Sequence, residues 1–525
     1  MIDTPEVKDG PLVTVLTPTF NRRRYLPGAI RSVLNQTYRN FQFIVANDGG
    51  EDVADIVESM NDHRVLLLQR PENRGKSATL NEALEHARGK YVCYLDDDDL
   101  YYPNHLQVLV AALEGQTDCQ VAYSDLYTTI FRRLPDGTRQ VLAKVVNISR
   151  DFDRFFMLHY NHVLHVSVMH RRDLLDRTGG YNEDVRVLID WDMTRRLAFY
   201  SDFFHVWDIT GEFYVPELAK QSDRISYKMR QDSDEYLKNF LTIRTTRPPK
   251  PWPKMKDLSI VFAPDRIDKE TMTKIGALWR WTFPPYQLYL ALPPGEAGLV
   301  DSRVPNVVHV PVQPGWPWDA RADKAIRQCT GDFIALLPSE LILQPIWVEI
   351  PVYTMWHSAK CGEAIYLKGA GRGCWGAVFR KDELLRARRN HPHLSIRRSV
   401  EADNIRVRWA DMAEFPFVFD HVLKQAQALA GEGSWLEAAR MFERNHLAFD
   451  NDLWMRECVA RSLHESGTHD AEALTICREI NQVRPTVNTL LLEAKVLRKS
   501  NRLDEAVRCL ERAKETLDWN LDGKE

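Results

Sequence analysis

The run Leu95-Asp-Asp-Asp-Asp-Leu-Tyr-Tyr-Pro-Asn-His-Leu106 sets four carboxylates side by side between an apolar stretch and a helix start. Adjacent like charges repel, so the arrangement is costly without a cation. Hard oxygen ligands at such a point suit Mg²⁺ or Mn²⁺, which keep several waters and share a substrate's phosphate oxygens. The alternative is an acidic loop in which one Asp caps the next helix. Three other clusters keep it company: Thr17-Pro-Thr-Phe-Asn-Arg22, Asn47-Asp-Gly-Gly50 and Asn73-Arg-Gly-Lys-Ser-Ala-Thr-Leu-Asn81. Phe20 and Pro18 offer a flat face to a nucleotide base, and Asp48 offers an acceptor to a pyrimidine ring N–H. Gly49 and Gly50 let backbone approach closely. Arg74 and Lys76 suit a diphosphate. Thr17 and Asn21 belong to the same candidate donor-binding set.

These clusters need a scaffold that brings them to one edge. Strand-like runs cover 12–18, 41–48, 65–69 and 90–96, and helical stretches cover 25–36, 52–60 and 76–87. Strands alternating with helices of this length predict a mostly parallel sheet covered on both faces. In such sheets ligands sit beyond the carboxyl ends of the strands. Thr17–Asn21, Asn47–Gly50 and Asp96–Asp99 all fall there.

In this order and spacing, TPTFNR, NDGG, NRGKSATLN and LDDDD resemble the family 2 glycosyltransferases, inverting enzymes of the GT-A fold that use nucleotide-sugar donors. The resemblance covers about residues 12–220. It implies a divalent metal cofactor, Mn or Mg, with Asp98 as direct ligand and Asp96 and Asp97 nearer the ribose and sugar. Leu188-Ile-Asp-Trp-Asp-Met-Thr-Arg-Arg-Leu197 resembles the family's (E/D)-D-x-D-L-x-x-R-L element. The matching catalytic base is Asp190, with Ile189 replacing the commoner acidic neighbour. On a purely structural reading, Asp190 caps a helix beginning near Trp191 and Asp192 is an exposed first-turn acid. Trp191 either stacks on the acceptor or packs. Many relatives carry a further metal-binding His where this chain reads Phe213-Tyr-Val-Pro-Glu217. Glu217 is the candidate replacement, so the metal set is Asp98, Asp96 and Glu217. His165 and His170 read as strand and surface residues rather than ligands.

The chain has 525 residues and a mass of 60.9 kDa, enough for roughly three domains. Residues 244–257 hold four prolines and five Lys/Arg and read as a semi-rigid linker. They divide a catalytic GT-A domain, 1–243, from a second α/β domain, 258–419. The second domain repeats the first in degraded form: Gly89-Lys-Tyr-Val-Cys-Tyr-Leu aligns with Gly331-Asp-Phe-Ile-Ala-Leu-Leu at an offset of 242. At that offset the acids become Pro338-Ser-Glu-Leu341 and Arg74-Gly-Lys becomes Trp316-Pro-Trp318. Little is left to hold a metal. Eight of the chain's 14 Trp lie here, either filling core or offering platforms for a glycan.

Residues 420–525 are helical in pattern. Glu437, Glu472 and Glu505 follow turn residues and stand 35 and 33 apart, with small Ala beside each. A period near 34 is the tetratricopeptide signature.

A net charge of −4 excludes a chain whose main business is coating nucleic acid. No apolar run reaches ~18 residues, and MIDTPEVKDG lacks the apolar region of a secretory signal. Eight scattered Cys without a CxxC pair fit free thiols in a reducing cytosol, so a cytoplasmic location is expected. Together these features predict transfer of a sugar from a nucleotide-sugar donor to an acceptor hydroxyl. The repeats suggest a protein partner and a surface-protein acceptor such as flagellin. An envelope polysaccharide acceptor and a non-catalytic nucleotide- or glycan-binding scaffold are the alternatives.

Overall fold

The computed structural model describes residues 10–116, 118–146, 148–159, 161–218, 234–282, 285–300, 306–339, 347–348, 351–352, 355–356, 364–368, 375–411, 426, 428–444, 453–483 and 485–522. The chain forms two compact units, one of Met1–Phe240, Pro248–Pro253 and Phe419–Glu525, the other of Leu241–Arg247 and Lys254–Val418.

The first unit opens with β1 (Val13–Thr19), α1 (Leu26–Leu34), β2 (Phe41–Asn47), α2 (Ala54–Ser59), β3 (Val65–Gln69), α3 (Lys76–Glu85) and β4 (Tyr91–Tyr94). Then follow β5 (Leu100–Tyr101), α4 (His105–Gly115), β6 (Cys119–Arg133), β7 (Arg139–Val145), α5 (Arg154–His159) and β8 (Val168–Arg171). The α/β part closes with α6 (Leu175–Thr178), α7 (Ile189–Leu197) and β9 (Asp202–Pro216), and α8 (Asp234–Thr245) begins in the first unit and ends in the second. The sheet order is β3-β2-β1-β4-β8-β6-β9-β5, with β7 paired to β6. β1 to β4 run parallel, as apolar strands covered on both faces do. The rest is mixed: β8 is antiparallel to β4 and β6, β5 to β9 and β7 to β6, while β9 is parallel to β6. The expectation of a mostly parallel sheet is therefore corrected to a mixed one. Val15, Ile30, Phe43, Cys93 and Leu109 are among the side chains that form the core beneath it.

Register decides what the strand ends present. Thr19 pairs with Asn47, and Leu16 with Tyr94. β1 thus runs three residues past the end of β4, and the acids after Tyr94 lie beside Thr17–Thr19.

The second unit contains β10 (Leu258–Phe262), α9 (Lys269–Trp281), β11 (Tyr286–Leu292), β12 (Val307–Pro311), α10 (Trp318–Ile326) and β13 (Phe333–Leu337). It continues through β14 (Ala364–Lys368), β15 (Trp375–Arg380), α11 (Lys381–Asn390), α12 (Ile396–Ala402) and β16 (Val407–Asp411). Its order is β12-β11-β10-β13-β15-β14-β16. Trp347 is fully buried and donates to Thr282 Oγ1 at 3.0 Å, Trp318 packs against the core, and Trp316 is exposed. Pro338 and Ser339 stand where the first sheet has acids; Glu340 and the boundary at 419/420 lie outside the described residues.

The proline-rich segment is anchored. Trp252 meets Phe199 edge-on at 4.9 Å, and Tyr200 Oη donates to the carbonyl of Pro249.

Five helices complete the described chain: α13 (Trp435–Arg444), α14 (Leu453–Glu465), α15 (Asp470–Val483), α16 (Val487–Lys499) and α17 (Leu503–Asp522). The turn residues singled out by the repeat, Gly433, Gly467 and Asn501, all take positive φ, at 81°, 83° and 57°. Ala438, Ala439, Ala473 and Ala506 beside them are buried. No described helix is long and apolar enough to cross a membrane.

Candidate active site

The end of β2 and the start of α3 are braced by one side chain, while the backbone N–H of the same residue bonds the Thr19 carbonyl at the end of β1. Asp48 Oδ1 accepts the backbone N–H of Arg74 at 2.9 Å, and Oδ2 accepts that of Gly75 at 2.8 Å. Arg70 Nη1 lies 3.3 Å from Oδ1. Asp48 thus holds the Asn73–Lys76 loop, and only its remaining lone pairs are left for a base. Gly49 is required here: its φ is +70°, and a Cβ would meet Glu72 C at 2.2 Å. Asn21, at φ 55°, accepts the Glu51 N–H at 2.9 Å. Between these turns the Phe20 ring is 43% exposed, a large apolar face beside the strand ends. Pro18 is half-buried, and Thr17 is buried with its Oγ1 unpartnered among the described residues.

The acids occupy the tight turn after β4, where the Asp99 N–H bonds the Asp96 carbonyl at 3.1 Å. Lys76 Nζ donates to Asp96 at 2.5 Å. Asp97 turns toward β1, accepting from Thr19 Oγ1 at 2.7 Å and Arg22 Nη1 at 3.0 Å. Burial and the neighbouring Asp98 push its carboxyl up to about 6 despite Arg22. Arg22 is also 3.2 Å from Asp98 Oδ2. Burial opposes its charge, yet Asp98 and Asp97 hold it above the usual guanidinium range. Arg139 reaches the same Asp98 oxygen at 3.5 Å and donates to the Asp98 carbonyl at 2.7 Å. Asp99 Oδ1 accepts the Tyr214 N–H at 2.8 Å.

One carboxylate oxygen each from Asp96, Asp98 and Asp99 lies within 4.8 Å of the others. Such an all-oxygen set fits a hard divalent cation. Asp99 thus joins the set, whereas Asp97 faces Thr19 and Arg22. Glu217 is engaged elsewhere: Arg132 grips it through two bonds of 2.8 and 2.9 Å at the exposed end of β9.

Asp190 lies in the first turn of α7, two residues after Leu188, which ends the preceding loop in a left-handed conformation with φ 61°. It is therefore not the helix cap. Asn161 Nδ2 donates to its Oδ2 at 2.9 Å. Burial raises its pKa; the Trp191 N–H and Lys76 pull it down, and Asp96 pushes it up. The candidate base thus feels the same Lys76 and Asp96 that face each other in the donor-side turn.

Three neighbours differ from expectation. Trp191 is buried, donates to the Met157 carbonyl at 2.9 Å and packs on Phe240, so its ring is no platform for an acceptor. Asp192 is not exposed: it is buried against Arg196, 2.7 Å away. His165 and His170 are buried rather than superficial, bonded to Tyr181 Oη at 2.6 Å and Tyr94 Oη at 2.7 Å. Burial lowers His165 to about 3 and His170 to about 4, so both are neutral at physiological pH. Arg74 is exposed, 3.7 Å from Glu183.

Sequence reasoning missed Arg22, Arg139, Asp99 and Asn161. Arg22 and Asp99 lay inside quoted motifs and needed only the register of β1 against β4. Nothing in a single sequence singles out Arg139 or Asn161.

The family model for glycosyl transferase family 2 matches residues 14–171, from β1 to the end of β8. An uncharacterized glycosyltransferase of Methanocaldococcus jannaschii, MJ1057, is 33% identical over 246 residues, covering 45% of this chain and 80% of its own length. The chain belongs to glycosyl transferase family 2. The putative colanic acid biosynthesis glycosyl transferase WcaA of Escherichia coli is 36% identical over 108 residues, which is 20% of this chain. The chain spans only 39% of WcaA. Among solved structures, Staphylococcus aureus TarS 1–349 in complex with UDP-GlcNAc aligns with 44% of this chain and 65% of its own, at 18% identity and a TM-score of 0.36. Asp190 and Glu217 lie beyond the family-model match, whereas the β1, β2 and β4 turns fall within it.

Proposed function

We propose that residues 12–217 bind a nucleoside-diphosphate sugar and transfer the sugar, with inversion, to an acceptor hydroxyl. The observation that best supports this is the turn after β4, where one carboxylate oxygen each from Asp96, Asp98 and Asp99 lies within 4.8 Å of the others and the Lys76 amine meets Asp96, a hard-cation set beside a phosphate-binding amine. Phe20 gives the base a face. Asp48 keeps the Arg74–Lys76 loop in place, and Lys76 exchanges Asp96 for the diphosphate. A divalent cation held by Asp98, Asp96 and Asp99 would supply positive charge to the departing diphosphate. Asp190 takes the proton of the acceptor hydroxyl as that oxygen attacks the sugar. Asn161 fixes the carboxylate's orientation, and burial makes it a stronger base than an exposed Asp.

The acceptor is read as an envelope polysaccharide, because WcaA, named for colanic acid biosynthesis, is 36% identical over 108 residues of this chain. A protein acceptor is the second reading, favoured by the helical repeats of α13–α17, since such arrays bind peptides. Thermal stabilisation by a panel of nucleoside diphosphates and their sugars, with and without Mn²⁺, tests donor binding. A ligand at 100 times its dissociation constant adds ~2.7 kcal/mol. No stabilisation by any member would sink the reading. Labelled sugar appearing in glycan or in protein then decides the acceptor.

A further inference from the structure

Three of the four acids after β4, Asp96, Asp97 and Asp98, meet cations of the chain itself before any ligand arrives. Lys76 faces Asp96, Arg22 faces Asp97 and Asp98, and Arg139 faces Asp98. Lys76 and Arg22 come from motifs bordering the donor turns. Arg139 comes from the first residue of β7, and its seat is built. Its guanidinium carbon lies 3.9 Å from the ring centre of Tyr25, 4.5 Å from Phe131 and 4.6 Å from Tyr214. Three aromatic faces around one guanidinium hold it by cation–π attraction and remove its rotamer freedom in advance. Its Nε is buried without a hydrogen-bond partner among the described residues. The rings and Asp98 together therefore define the position.

Two guanidinium groups share Asp98 Oδ2. A divalent ion takes carboxylate oxygens at roughly 2–2.5 Å. Bound to Asp98, it would stand close to both guanidinium groups in a poorly solvated turn, where like charges repel strongly.

We propose that Arg139 is a built-in competitor for the divalent cation at Asp98. In the absence of donor it occupies the carboxylate and keeps metal affinity low. A nucleoside diphosphate brings anionic oxygens that accept the displaced guanidinium, so metal and nucleotide load together. This coupling is reciprocal: whatever the diphosphate adds to metal affinity, the metal adds to diphosphate affinity. The inference rests on the metal assignment made under the proposed function.

The test uses the full chain and Mn²⁺ alone, with bound ion read from loss of the free-ion paramagnetic resonance signal. Arg139→Gln removes the charge, and Arg139→Met does so while keeping an apolar stem between the rings. Whichever folds, judged by its circular dichroism melt, binds Mn²⁺ without nucleotide at least fivefold more tightly than the parent. Arg139→Lys, which keeps the charge, stays within fivefold. Adding Asp98→Asn to the charge-removing variant abolishes the gain. A gain below fivefold, or one that survives Asp98→Asn, overturns the proposal while leaving the proposed function standing. Mn²⁺ binding by no variant, with or without uridine diphosphate, overturns both the metal assignment and this inference.

Discussion

Asp190→Asn separates the base from every other role of that residue. Asn has nearly the same shape, and its Oδ1 accepts the bond that Asn161 Nδ2 now gives at 2.9 Å. The Asp190 carboxyl also takes the Trp191 N–H at the start of α7, a bond that an Asn oxygen can accept as well. Losing a general base lowers turnover by ~10²–10⁴, about 3–5 kcal/mol of barrier. Donor affinity should stay within a few-fold. Burial raises the Asp190 pKa, so the acid limb of the parent's kcat/KM profile lies above the ordinary Asp value of about 3.9. Activity falls as pH drops through that limb. The stability effect has the opposite sense. A carboxyl whose folded pKa exceeds its unfolded pKa favours folding below the unfolded value, and that advantage is lost as pH rises through the folded value. At pH 7 the buried charge is a cost, so Asp190→Asn should melt at the same temperature as the parent or higher. Steady-state release of nucleoside diphosphate across pH 4–8, with melts at pH 7, provides both readouts. Unchanged turnover at saturation with weakened donor binding would refute the assignment, as would an acid limb at the ordinary carboxylate position.

Lys76→Met should weaken nucleoside diphosphate binding roughly tenfold, by loss of a charge-assisted contact, and leave nucleoside binding unchanged by calorimetry. It should also move the acid limb upward, because Lys76 now lowers the Asp190 pKa. Asp48→Ala strips the acceptor from two backbone N–H groups and should cost about 2–4 kcal/mol in urea unfolding. Gly49→Ala, which meets Glu72 C at 2.2 Å, should exceed the ~1–2 kcal/mol of an unobstructed left-handed site and abolish nucleotide binding. Gly75→Ala, with φ +92° and ψ 158° but open space around its Cβ, isolates backbone strain without a clash and should cost about 1–3 kcal/mol.

The parallel half of the first sheet was legible because its strands are continuous apolar runs that end in polar motifs. The expected strand 41–48 appears as Phe41–Asn47 and the expected helix 76–87 as Lys76–Glu85. The antiparallel half was not legible. β6 and β7 form a long hairpin whose pairing shifts register between Ile130 and Phe131, and local periodicity does not announce which strand it joins. For the same reason the site was read one-sidedly. Acids drew attention as charges needing a cation, and the arginines that answer them stand 75 and 41 residues away along the chain. Asp192 looked exposed because a first-turn acid usually is; its partner Arg196 lies on the same helix face four residues on, in a buried position. The residue type of Glu217 suggested a ligand, but Arg132 on the adjacent strand takes both its oxygens.

The two sheets bear on how chemistry and scaffold separate. In each, three parallel neighbours and a fourth parallel strand are followed by an antiparallel one, then by a strand antiparallel to that, then by one parallel to the last. A small tie recurs as well: the Gly89 N–H bonds Thr14 Oγ1 at 2.9 Å, and the Gly331 N–H bonds Ser259 Oγ at 2.9 Å. What holds the fourth strand to the first is thus kept in both. What differs lies beyond the strand ends, where Thr19 and Asp97 face each other in one sheet and Pro264 and Ser339 are found in the other. Buried strands are fixed by packing, which tolerates no polar novelty, whereas the turns beyond them are held by a few replaceable side chains. If the sheets descend from one ancestor, the second could lose its acids without losing its fold, because those acids touch strands only at the ends or edge, through single bonds from Thr19 and from the Tyr214 N–H. Asp48 is the exception in the first sheet. It is both a brace and a candidate ligand group, so its loss would damage scaffold and chemistry together.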